Sequence, residues 1–116
     1  MIEDVLHDVL SPLFGGRVFP DAADFRTQRP YCTYQQVGGV PVQFLEAQPA
    51  DKKNARFQIN VWAATRAEAS TLIRQVEDLL VQAPLRGTVE GGALARYEMA
   101  PQLYGAQQDF SVWFSS

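Results

Sequence analysis

Residues 55–84 read ARFQINVWAATRAEASTLIRQVEDLLVQAP, and this stretch decides the fold. Ala55, Phe57, Ile59 and Val61 alternate with Arg56, Gln58, Asn60 and Trp62. A period of two marks a strand with one face buried. The next residues, Thr65-Arg66-Ala67-Glu68, match a capping box. In that motif the hydroxyl and the carboxylate each satisfy a backbone N–H left free at a helix start. Ala69, Leu72, Ile73, Val76, Leu79, Leu80 and Ala83 then form one helical stripe that Pro84 ends. A strand with one apolar face, followed by a helix with one apolar stripe, predicts a helix packed on a sheet.

The rest of the chain extends this unit. Ile2, Val5, Leu6, Val9, Leu10 and Leu13 follow helical spacing, with Glu3 and Asp4 at the positive end of the dipole and Pro12 with Gly15-Gly16 as the stop. A helix over 2–12 is expected. A short strand at Arg17 to Phe19 leads into an exposed loop over 20–30, bounded by Pro20 and Pro30. Tyr31 to Val37, Gly38-Gly39 and Val40 to Leu45 read as a hairpin whose second arm Pro41 keeps at an edge. Glu46 to Asn54 carries no periodic apolar residue and reads as a mobile loop. Beyond a Gly-rich turn at 87–92, strands are expected at Ala93 to Met99 and Gln107 to Ser115, separated by a loop holding Pro101 and Gly105. The principal order is α-β-β-β-α-β-β. The fold class is α+β: a mainly antiparallel sheet with two helices on one face. The 116 residues fit a single domain over 1–116.

Composition narrows the function. With 47% hydrophobic and 20% charged residues, the chain has the balance of a soluble globular protein. Its apolar runs fall far short of the roughly 20 residues that span a bilayer. The acidic start, Met1-Ile2-Glu3-Asp4, lacks the basic residues of a secretory signal, so synthesis and residence in the cytoplasm are expected, with no membrane partner. The formal net charge of -3 argues against sequence-specific nucleic-acid binding, which relies on clustered Lys and Arg; the Lys52-Lys53 pair is too short to change that. The single cysteine, Cys32, reads as a small buried hydrophobe.

Catalytic and cofactor signals are weak. His7 falls on the polar side of the first helix, where no spacing puts a carboxylate pair or a thiol beside it. Metal-ligand spacings are missing from the sequence, and the glycine pairs lack the context of phosphate-binding loops. No catalytic residue, cofactor-binding residue or metal ligand is assigned, and the chain reads as a non-enzyme.

Three segments carry a family resemblance: Tyr31-Cys32-Thr33-Tyr34-Gln35-Gln36-Val37, then Arg56 through Ala69, and Asp109-Phe110-Ser111-Val112-Trp113. In that order and spacing the chain resembles the tail-completion proteins of long-tailed bacteriophages and prophages. The resemblance implies a non-enzymatic structural protein that caps the head-proximal end of the tail tube and helps join tail to head, as a ring of six copies. It implies as partners other copies of the chain, the tail-tube protein and a head-joining protein. It implies localisation in the host cytoplasm during assembly and then in the virion tail. An acidic collar would also pass DNA without holding it.

The family transfers no interface residues, so candidates come from the sequence itself. Trp62 and Trp113 fall on strand faces that are otherwise polar, and either a covering element or a neighbouring subunit would have to bury them. Glu46, Asp51, Lys52 and Lys53 give the 46–54 loop mixed charge suited to contacts that set register. The reading from another class is a small cytoplasmic ligand-binding or regulatory α+β module, with Tyr31, Tyr34 and Trp62 around a pocket.

Overall fold

β3 (Lys52–Ala63) lies in the middle of a five-stranded sheet. Its alternation acts as expected: Ala55, Phe57, Ile59, Val61 and Ala63 are buried in one core, while Arg56, Gln58, Asn60 and Trp62 point to the other face. This is a computed structural model describing residues 1–24, 26–42, 51–99 and 102–115. Around β3 stand α1 (Ile2–Phe14), β1 (Val18–Pro20), β2 (Tyr31–Gly38), α2 (Arg66–Leu80), β4 (Thr88–Met99) and β5 (Gln102–Ser115), giving the order α-β-β-β-α-β-β. The sheet order is β1-β2-β3-β5-β4, antiparallel throughout except for the parallel pair β1 and β2.

Both helices cover one face. Leu6, Leu10 and Phe14 of α1 and Ala69, Leu72, Ile73, Val76 and Leu80 of α2 join the core that β3 supplies. Each fully buried aliphatic or aromatic side chain of this kind contributes about 1.5–3 kcal/mol. α2 starts where the capping box puts it. The Glu68 N–H donates to Thr65 Oγ1 at 3.1 Å. The Glu68 carboxylate accepts from the N–H of Ala64, one residue earlier than the simplest box, at 3.3 Å. Thr65→Ala removes the hydroxyl acceptor, so a loss of about 1 kcal/mol is expected, seen in urea unfolding as a lower midpoint with unchanged slope.

Several boundaries differ from the sequence reading, each for a physical reason. Pro12 lies inside α1, which runs on to Phe14; the ring forfeits one backbone bond, but continuing the turn buries Phe14 completely. The helix stops at Gly15, in the left-handed region at φ 58°. α2 ends at Leu80, ahead of Pro84, and leaves Ala83 exposed. Gly87 N–H bonds the Leu80 carbonyl there, at 2.6 Å.

β2 does not turn back on residues 40–45. It pairs with β3, which sets Cys32 opposite Val61 and Tyr34 opposite Ile59 in the core. Val40 to Val42 form no strand, and residues 43–45 lie outside the described residues. Lys52, Lys53 and Asn54 belong to β3, extended by pairing with Ser115, Phe114 and Trp113, and not to a loop. Gly105 is likewise a strand residue, opposite Trp62.

The Gly-rich segment is a bulge within β4 and not a turn before it. Glu90 pairs with Asp109 and Leu94 with Gln107, so residues 91–93 stand against Gln108 alone. The buried Gln108 amide donates to the Gly91 carbonyl at 3.0 Å and to Glu77 of α2 at 3.4 Å, tying the bulge to the helix.

Candidate functional site

Both helices pack on one face of the sheet, and among the described residues no helix covers the second. Along it the register aligns Tyr31 with Trp62, Thr33 with Asn60 and Gln35 with Gln58 across β2 and β3. It also aligns Trp62 with Gly105, Gln58 with Asp109 and Arg56 with Ser111 across β3 and β5. Polar groups here mostly pair within the face. Arg56 Nε donates to Asp109 at 2.9 Å, Arg96 Nη1 to Gln107 at 2.8 Å, and Asn54 Nδ2 to Ser111 Oγ at 2.8 Å.

At one end the face deepens into a cavity of about 350 Å³. Trp62 forms part of its wall, held by an indole N–H bond to Thr33 Oγ1 at 3.4 Å and by the Arg96 guanidinium 5.7 Å from its ring. Tyr31 and Leu103, both buried, complete the apolar part. Burial raises the Tyr31 phenol above its ordinary range; nearby Arg29 opposes the shift and Glu98 adds to it. Asn60, which is buried, and the exposed Asp21 and Glu98 also line it.

Of the sequence candidates, Trp62 and Trp113 do share the open face, opposite to the helices, so neither helix covers them. Trp62 is half-buried by the cavity, whereas Trp113 is 51% exposed. Asp51, Lys52 and Lys53 are exposed at the start of β3, near Trp113, and Lys52 Nζ donates to Ser115 Oγ at 3.1 Å. Glu46 lies outside the described residues. The structure therefore brings Trp113 and the two lysines to the same end of the sheet, with Trp62 toward the other. Tyr34 belongs to the core, edge-on to Phe57, and does not line the cavity with Tyr31 and Trp62.

Sequence reasoning missed the free edge of β4. Among the described residues this strand has a neighbour on one side only, and every residue from Gly91 to Met99 is exposed. Leu94, Tyr97 and Met99 put large apolar side chains there, at 63%, 50% and 81% exposure. The opposite edge is three residues of β1 ending in Pro20. A long apolar edge is a template for another chain, whereas a short edge with a proline is blunted.

Groups that could do chemistry are placed apart. Cys32 is fully buried, and desolvation drives its thiol far above the ordinary range, which makes it a packing residue with little thiolate. His7 lies on α1, where Ser11 Oγ is 3.2 Å from its ring nitrogen. Among the described residues, no three His, Cys, Asp or Glu side chains come together as a metal site, and no helix is long and apolar enough to cross a membrane.

The fold and these surfaces define a two-layer α+β module in which, among the described residues, no helix covers the second sheet face and β4 forms the long edge of the sheet. A family model described as tail completion protein gp17 matches residues 6–115, and the chain belongs to that family. A chain of the native gene transfer agent virion has the same fold, with a TM-score of 0.58 at 22% identity, over 93% of this chain and 85% of that one. No curated protein matches the sequence. The family assigns the chain a structural role in a phage-type tail.

Proposed function

We propose that the chain acts as one tail-completion domain that caps the head-proximal end of the tail tube and helps join tail to head, as a closed ring of identical copies. Family membership over residues 6–115 carries this reading. In this role it is a non-enzyme that assembles in the host cytoplasm and ends in the virion tail. Its partners are further copies of itself, the tube protein and a head-joining protein.

The two unlike sheet edges support a ring. Head-to-tail contacts between different surfaces close into rings when the rotation per copy allows, whereas identical surfaces give a two-fold pair. The apolar β4 edge is suited to meet a different surface on the next copy. Trp113, Asp51, Lys52 and Lys53 at one end of the open face, and Trp62 at the other, are proposed as further contact residues, with Glu46 beside the first group in sequence.

Leu94→Lys with Met99→Lys tests the edge. Both side chains project into solvent, so monomer stability should stay within about 0.5 kcal/mol. Light scattering should find rings for the parent chain, alone or with tail tubes, and monomers for the variant. Electron microscopy should find tube ends capped only by the parent. A parent chain that stays monomeric with and without tubes would sink the ring.

A further inference from the structure

We propose that in the free chain the edge of β4 pairs with the β4 edge of a second copy, in one antiparallel register centred on Tyr97, and that this dimer is the resting form of the subunit. Among the described residues β4 has a strand beside it on one side only, so alternate backbone N–H and C=O groups point away from the sheet. The bulge at 91–93 confines the regular part of this edge to Leu94 through Met99. Arg66 of α2 steadies that part, donating to the Arg96 carbonyl at 2.6 Å and to the Gly105 carbonyl of β5 at 2.7 Å.

Symmetry fixes which residues can meet. Two antiparallel edges related by a two-fold axis normal to the sheet keep their helices on the same side, so each residue faces one of its own parity. The ladder puts Leu94, Arg96 and Glu98 on the open face, opposite Gln107, Gly105 and Leu103. Ala95 and Tyr97, opposite Ala106 and Tyr104 of the core side, share the helix side with Met99. With Tyr97 on the axis, Arg96 of each copy stands opposite Glu98 of the other, and Ala95 opposite Met99. An axis at Arg96 would set two arginines against each other, and an axis at Glu98 two glutamates. Opposite charges across a strand pair stabilise it and like charges destabilise it, so charge selects this register and rejects both of its neighbours.

The side chains are already arranged for that contact. Arg96 donates through Nη1 to Gln107 and lies against the Trp62 ring, which holds it on the open face and leaves further N–H groups for a carboxylate. Tyr97 lies 5.1 Å from Tyr104 between ring centres, and meeting its own copy across the axis would extend an aromatic row over both subunits. The inference goes beyond the ring reading. One edge cannot serve the dimer and a head-to-tail contact at once, so dimers must part before a ring closes through β4.

Sedimentation of the isolated chain at micromolar concentration should find a dimer. Arg96→Glu and Glu98→Arg each turn both unlike pairs into like ones, and each should weaken the dimer by about tenfold or more. Both positions are exposed, so both variants should fold, as circular dichroism will check. Mixing the two variants restores unlike charges at both contacts and should yield a heterodimer. A monomeric parent, a variant that dimerises as well as the parent, or a mixture that stays monomeric would overturn the proposal. Rings that form from the parent with no dimer at any dilution would overturn it while leaving the ring reading intact. Dimers that never give rings when tubes are present would support it and sink the ring reading.

Discussion

Phe57→Ala is expected to remove about 3–5 kcal/mol of stability. Phe57 is 1% exposed on the central strand, meets Tyr34 edge-on at 6.4 Å between ring centres, and stands opposite the fully buried Phe110. Its removal takes away the transfer energy of a phenyl ring and leaves a gap that two paired strands cannot close. With a domain of this size holding about 5–15 kcal/mol in total, the variant should be largely unfolded well before the parent in urea. Phe57→Leu, which keeps most of the volume, should retain most of the stability. A loss below about 1 kcal/mol for the alanine variant would contradict a rigid core at this position.

Gly105→Ala should be the more instructive change, although smaller, at about 1–3 kcal/mol. A Cβ at Gly105 would meet two carbons of the Trp62 ring at 2.8 Å and the Val61 carbonyl oxygen at 3.1 Å. The indole must move, and with it go the bond to Thr33 and the contact with Arg96 that shape the cavity wall. The expected signature is therefore a shift in indole fluorescence and near-ultraviolet dichroism together with the stability loss. Combining the change with Trp62→Leu should relieve most of the additional cost, because the smaller side chain vacates the contact. Full persistence of that cost in the double variant would place the strain in the backbone.

How much of this was legible beforehand differs by element. The centre of β3 and the start of α2 are legible because their signals are local, an alternation over 55–62 and a Thr-x-x-Glu box, whereas β3 begins three residues earlier and α2 ends three residues sooner than those signals indicate. The faces of Trp62 and Trp113 followed from the same alternation, since the face a strand residue occupies depends only on its parity. The family resemblance rested on these segments too. Errors gathered where glycine and proline were treated as punctuation: Pro12 inside α1, the bulge at 91–93, and Gly105 in mid-strand under an indole.

By itself, then, the sequence determined that β3 would have one apolar face, that a helix would start at Thr65, and that two tryptophans would stand on the polar side of the sheet. Only the tertiary structure decided that β2 takes β3 as its partner, that β4 ends the sheet with an apolar edge, and that Asp21, Tyr31, Asn60, Trp62 and Glu98 surround one cavity. Periodicity specifies which way a side chain faces, but not which strand lies beside it. That choice depends on the burial gained by competing long-range pairings.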